Sequence, residues 1–205
     1  MSDVKIKICG MTRAEDIRLV NSLGADMAGF VLFFPKSRRN LDIAEAAKLL
    51  KGLDGVKPVA VTVTPTPVQA EQIRAAGFDI LQIHGELSEE TYNSCVESGL
   101  SVIRAFNSFD TEEIARCSRL DRIEYFLFDA AEPGSGKRCD WNGLSQLPET
   151  GKKLILAGGL TPDNVAQAIN TVHPYMVDVS SGVELPQGGK DPVLAERFVS
   201  AVRTL

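Results

Sequence analysis

The sequence predicts an α/β protein: a closed (β/α)8 barrel, as a single domain over residues 1–205. Three observations predict it. Short apolar runs alternate with segments of helical periodicity along the whole chain, and eight such pairs can be traced. The runs are nearly continuous in apolar residues, as in a parallel sheet covered on both faces. No composition shift or linker interrupts the series. An open doubly wound sheet is the alternative, but eight units point to closure.

The elements follow in order. Residues 4–8 form the first predicted strand, which ends in Cys9-Gly10. A helix over 14–23 follows, with Thr12 or Arg13 near its start. Leu19, Val20 and Leu23 give it an apolar face, and Gly24 is its C-cap. The second strand spans 27–33 and is ended by Pro35. The second helix covers 41–50, with Asp42 as a candidate N-cap. Strand three, 57–63, runs into Pro65 and Pro67, and the helix 68–76 stops at Gly77. Strand four, 80–83, ends at His84-Gly85. Ser88-Glu89-Glu90-Thr91 opens the fourth helix, and Gly99 closes it. Strand five is 101–106, and Asp110 or Thr111 caps a helix running toward Leu120. Strand six, 125–128, ends at Asp129, and a long loop precedes a short helix from Trp141. Strand seven, 153–156, ends at Ala157-Gly158-Gly159. Thr161-Pro162 starts the seventh helix, since proline is tolerated in a first turn. Strand eight, 175–179, ends at Ser180-Ser181-Gly182, and the last helix covers 192–204. The longest loops, 33–41 and 130–140, both follow strands. They belong to the C-terminal face, where barrel active sites lie.

Composition narrows the function class. An apolar fraction of 44% with 24% charged residues is that of a soluble globular chain. No segment is apolar for the length of a membrane helix, and the N-terminus lacks a secretory signal. A cytoplasmic protein is expected. The net charge of -5 argues against a nucleic-acid partner. The basic cluster Lys36-Ser37-Arg38-Arg39 is sized for one small anion. Cys9, Cys95, Cys117 and Cys139 include no C-x-x-C pair, and His84 and His173 lie far apart. Neither a zinc site nor disulfides are expected.

The glycine-rich turns after strands seven and eight read as a phosphate site, built from Gly158, Gly159, Ser180, Ser181 and Gly182. Glycines let backbone approach an anion, and barrels often bind phosphate at this pair of strands. The plainer reading is two tight turns. Gly134-Ser135-Gly136-Lys137 fails as a nucleotide-binding loop, because Ala131 and Arg138 stand where glycine and a hydroxyl residue belong. It reads as a lid.

Cys9 and Asp129 end strands that face each other across the barrel mouth. A thiol and a carboxyl so placed bracket a small substrate and suit general base and general acid work on opposite faces of it. Alternation puts Lys5 and Lys7 on the same face as Cys9, where their charge is expected to favour thiolate. Taken alone, Cys9 also fits a small buried residue, and Asp129 a helix cap or ion pair. Arg38 and Arg39 are candidates for a carboxylate fork or for solvated surface charge. His84 either lines the pocket or bonds a loop. Asp178, facing away from Val177 and Val179, is a candidate for a sugar hydroxyl. Cys95 and Cys117 fall in helical patterns and read as structural.

Several stretches together resemble the phosphoribosylanthranilate isomerases of tryptophan biosynthesis. They are Lys7-Ile8-Cys9-Gly10, Gly24-Ala25-Asp26 with Gly29-Phe30, Pro35-Lys36-Ser37-Arg38-Arg39, and Gln82-Ile83-His84-Gly85-Glu86. Then come Gly134-Ser135-Gly136-Lys137 with Asp140-Trp141, Gly158-Gly159-Leu160-Thr161-Pro162-Asp163-Asn164-Val165, and Val177-Asp178-Val179-Ser180-Ser181-Gly182-Val183-Glu184. The resemblance runs from first strand to last. It implies a single TIM barrel, no metal or organic cofactor, and an Amadori rearrangement of an N-phosphoribosyl aminoaldose to 1-(2-carboxyphenylamino)-1-deoxyribulose 5-phosphate. It implies Cys9 as general base, Asp129 as general acid and Arg39 as partner of the anthranilate carboxylate. The expected assembly is a monomer or homodimer, with neither nucleic acid nor membrane as partner. The strand-three end Val61-Thr62-Val63-Thr64-Pro65 departs from the family's pattern, as does Cys139.

Rival readings are a histidine-pathway aminoaldose isomerase, which carries aspartate where Cys9 stands, and indole-glycerol phosphate synthase, whose lysine pair is not seen. A metal-dependent sugar-phosphate epimerase would need more histidines than the two present. A non-catalytic phosphosugar-binding barrel predicts binding without turnover.

Overall fold

The computed structural model describes residues 3–130, 140–144 and 149–205. Its strands are β1 (Lys5–Cys9), β2 (Met27–Leu32), β3 (Asn40–Leu41), β4 (Lys57–Thr62), β5 (Ile80–Ile83), β6 (Ser101–Phe106), β7 (Ile123–Phe128), β8 (Lys153–Leu156) and β9 (Met176–Val179). Between them run α1 (Ala14–Leu23), α2 (Ile43–Leu50), α3 (Pro67–Ala75), α4 (Glu89–Ser98), α5 (Thr111–Ser118), α6 (Trp141–Leu144) and α7 (Val165–Val172). A 3₁₀ turn (Ser181–Val183) and α8 (Pro192–Arg203) complete the chain. The sheet order is β1-β9-β8-β7-β6-β5-β4-β2-β3, and β1 also pairs with β2. That extra pairing closes eight parallel strands into a barrel. The fold is the expected (β/α)8 domain.

Strand alternation separates two cores. One face of each strand fills the barrel with residues such as Met27, Val59, Val61, Ile103, Leu127, Ile155 and Met176. The other packs under the helices through Ile6, Ile8, Phe30, Leu81, Phe126 and Val177. Asp178 faces the interior while Val177 and Val179 face the helices, as its alternation with them predicts.

Most predicted boundaries differ from the observed ones by a residue at most, and three element starts differ by two or more. Leu41 does not open a helix. It pairs with Leu32 in β3, and α2 starts at Ile43 because the Asp42 carboxylate accepts from Ala44 N at 2.8 Å. The strand predicted over 125–128 begins at Ile123, with exposed Glu124 interrupting its apolar run. Thr161-Pro162 does not start α7. Asn164 holds these residues in a turn, its Oδ1 accepting from Thr161 N at 2.8 Å and its Nδ2 donating to Gly159 O at 2.9 Å. The helix begins after it, at Val165.

Candidate active site

The C-terminal ends of the strands surround a cavity of about 450 Å³. Cys9, Arg39, His84, Asp129, Gly158, Gly159, Asp178, Ser180 and Ser181 all line it. Gly182 does not. It packs beneath, where a Cβ would lie 1.9 Å from Leu160 O, so no side chain fits. The loop bearing Gly134-Ser135-Gly136-Lys137 and Cys139 lies outside the described residues.

Cys9 ends β1 opposite Gly29 of β2. A Cβ on Gly29 would come within 2.7 Å of the Cys9 sulfur, so the missing side chain makes room for the thiol. One layer below, Lys7 is fully buried and its Nζ donates to Asp178 Oδ2 at 2.8 Å, across the β1–β9 register that sets the two side by side. Burial opposes the Lys7 charge, but Asp178 and Cys9 outweigh it and hold the ammonium protonated. Lys5 is too far out to act on the thiol. It lies half-exposed and pairs with Asp26 at 3.2 Å. The expected thiolate is not the resting form: burial pushes the Cys9 thiol above its ordinary pKa, and the pull of Lys7 is the smaller effect.

Asp129 follows β7. Its backbone N–H donates to Phe106 O at 2.8 Å, and its Oδ1 accepts from Ala130 N at 2.7 Å. Burial raises its pKa to about 6, with the Ala130 N–H opposing and the Asp178 charge adding to the rise. A carboxyl poised there can give up a proton near neutral pH.

His84 is neutral. Burial, then Lys7 and Arg104, lower its pKa to about 4. Gln82 Nε2 lies 2.7 Å from His84 Nε2, and an amide NH2 can only donate, so that imidazole nitrogen accepts. Gln82 Oε1 and Asp178 Oδ1 are buried without a partner among the described residues. Both residues line the cavity. Gln82 was absent from the predicted site set. The available signal was an amide in the middle of the apolar run Ile80-Leu81-Gln82-Ile83.

Arg39 is not free surface charge. Its Nε and Nη2 donate to Glu184 Oε1 and Oε2 at 2.6 and 2.9 Å. Glu184 also accepts from Lys190 Nζ at 2.8 Å and from Arg38 Nη2 at 2.5 Å. Neither Glu184 nor Lys190 was singled out from the sequence as a site residue. Burial works against the Glu184 charge, yet hydrogen bonds from Arg39 and the nearness of Lys190 bring its pKa down to about 2.

The two glycine turns meet beside this cluster, with Gly182 packed on Leu160 and Ser180 Oγ 3.4 Å from Glu184 Oε1. Gly158 and Gly159 adopt φ of +83° and +63°, open to glycine at little cost. Ser180 Oγ donates to Cys9 O at 3.0 Å, tying the turn after β9 to the end of β1. The mouth therefore combines an acid, a thiol, a fixed guanidinium and flexible backbone suited to an anion.

The family model described as N-(5'phosphoribosyl)anthranilate (PRA) isomerase matches residues 6–201. The chain is 38% identical over 207 residues to N-(5'-phosphoribosyl)anthranilate isomerase of Thiobacillus denitrificans, covering 98% of both chains. It is 40% identical over 212 residues to that of Chromohalobacter salexigens, covering 98% of this chain and 95% of the other. The Thermus thermophilus phosphoribosyl anthranilate isomerase structure superposes with a TM-score of 0.86 at 30% identity, over 98% and 99% of the two chains. Another isomerase structure, in complex with reduced 1-(o-carboxyphenylamino)-1-deoxyribulose 5-phosphate, gives 0.84 at 32% identity over 98% and 100%. Monomers generated from the dimeric Thermotoga maritima enzyme give 0.82 at 31% identity, again over 98% and 100%.

Proposed function

This chain belongs to the N-(5'-phosphoribosyl)anthranilate isomerase family and works as that isomerase in tryptophan biosynthesis, and we propose that Cys9 and Asp129 carry its chemistry. Asp129, as the acid, protonates the ring oxygen of the furanose and opens it to a protonated imine. Cys9, as thiolate, removes the proton at C2' of the sugar. The electron pair flows into the imine, giving an enolamine that tautomerises to the ketone. The imine nitrogen is the electron sink, so the step asks nothing of a metal. Arg39 receives the anthranilate carboxylate. Gly158, Gly159, Ser180 and Ser181 take the phosphate, with Gly182 shaping their turn. Asp178 accepts from a sugar hydroxyl through its unpartnered Oδ1, and neutral His84 lines the ring pocket. Phosphate binding far from the reacting carbons orients them. The reduced product analogue bound by the related enzyme carries the same phosphate and carboxylate.

The observation that carries this reading is the placing of Asp129, with its pKa raised to about 6, in the same cavity as Cys9. The test follows loss of substrate fluorescence in wild type, Cys9→Ser and Asp129→Asn. Each variant is expected to lose about 10²–10⁴-fold in kcat. Normal turnover by both would reject the assignment. We place the enzyme in the cytoplasm, as a monomer or homodimer. No described helix is long and apolar enough to cross a membrane.

A further inference from the structure

We propose that Glu184 is a positioning residue, holding Arg39 by one edge so that the remaining corner of its guanidinium meets the aromatic carboxylate of the substrate. The inference rests on the reading of Arg39 as that carboxylate's partner.

The Glu184 side chain is 4% exposed, so its charge has to be met by protein. Arg39 meets it through Nε and Nη2, Lys190 through Nζ and Arg38 through Nη2. Ser180 Oγ approaches Oε1 at 3.4 Å. A guanidinium held along its Nε–Nη2 edge keeps one amino group, Nη1, for other work. Nη1 has no partner among the described residues, and Arg39 lines the cavity. The stem of Arg39 is fixed as well. A Cβ on Gly10 would stand 2.6 Å from Arg39 Cδ, so the stem lies directly against that backbone. An arginine left loose would surrender rotamer freedom on binding, whereas one already fixed surrenders little.

Glu184 is itself placed by a small clamp. It bridges Lys190 in antiparallel fashion, and Leu185 N donates to Gly189 O at 3.0 Å. Lys190 N then donates to Asp16 Oδ1 at 2.9 Å, which anchors the clamp to the start of α1. Three cations around one carboxylate leave positive charge over, which suits an anionic ligand.

The test compares competitive inhibition by two product analogues. One is reduced 1-(o-carboxyphenylamino)-1-deoxyribulose 5-phosphate, and the other is the same molecule without the ortho carboxyl. In Glu184→Ala the carboxylated analogue is expected to weaken about tenfold or more and the other less than about twofold. Glu184→Gln keeps one acceptor oxygen and is expected to recover part of the preference. Arg39→Ala is expected to abolish the preference, with Glu184→Ala adding little to it. If Arg39→Ala abolishes the preference while Glu184→Ala weakens both analogues alike, or neither, Glu184 is only structural and the proposal is overturned. If Arg39→Ala leaves the preference intact, the reading of Arg39 fails instead. Should Glu184→Ala not fold, the preference of Glu184→Gln decides by the same criterion: an unchanged preference overturns the proposal.

Discussion

Asp129 is set to titrate at about 6, and Cys9 above its ordinary 9.0, so across the neutral range the carboxyl is mostly ionised and the thiol mostly protonated. The form proposed for reaction, thiolate with carboxylic acid, holds the same number of protons and is a minority arrangement of that state. kcat/KM is therefore expected to rise through about pH 6, run level, and fall only above pH 9, with limbs that belong to the pair. A profile flat through pH 6 would remove Asp129 from the reaction. The same shift bears on stability. A folded pKa of about 6 against an ordinary 3.8 means the native state holds the Asp129 proton more firmly than the unfolded chain. Its contribution is favourable below pH 3.8 and is lost as pH rises through 6. Asp129→Asn stays neutral and is expected to gain on the order of 3 kcal/mol at pH 7 and almost nothing at pH 3.5, read by urea unfolding. Cys9 and Asp129 were legible in the sequence because each ends an apolar run. The resting state of Cys9 was not, because it depends on whether burial or the Lys7 charge prevails, and only depth in the barrel decides that. Glu184 was hidden as a partner by its separation of 145 positions from Arg39.

Among the elements, caps gave the best sequence signals. Gly24 and Gly99 close α1 and α4 in left-handed conformation, and Asp42, Ser88 and Asp110 accept from helix-start N–H groups. These depend on one residue and its immediate neighbours, so sequence suffices. The turn between β8 and α7 misled because Pro162 fits a first helical turn equally well. The choice is made by Asn164, whose side chain bonds both Thr161 and Gly159. That turn carries the proposed phosphate site, so Asn164→Ala is expected to raise KM several-fold with little change in kcat. It is also expected to lower stability by about 1 kcal/mol. Equal KM values in variant and wild type would show that Gly158 and Gly159 hold their shape unaided.

At the scale of the molecule, the eight alternating units were readable because parallel strands buried on both faces need apolar runs, and each run has its own helix. The two-residue β3 was not, since so short a strand has no period to detect. Its placement follows from the closed ring, in which the end of β2 is left with an unpaired edge for Asn40 and Leu41. Net charge was silent about the site. A chain of net charge -5 nonetheless gathers Lys7, Arg38, Arg39 and Lys190 about one mouth. Closure has a further consequence. β1 lies between β2 and β9, and α8 returns to bring Arg203 Nη2 within 2.9 Å of Gly24 O. The order in which the chain visits the ring is thus nearly a matter of bookkeeping, and circular permutation should be tolerated. A permutant with the old ends joined by a short glycine-serine linker, opened between exposed Asp54 and Gly55, breaks the chain on the face opposite the mouth. It is expected to keep kcat within about threefold and to melt a few degrees lower. An inactive but folded permutant would mean that the site depends on strain carried around the whole ring.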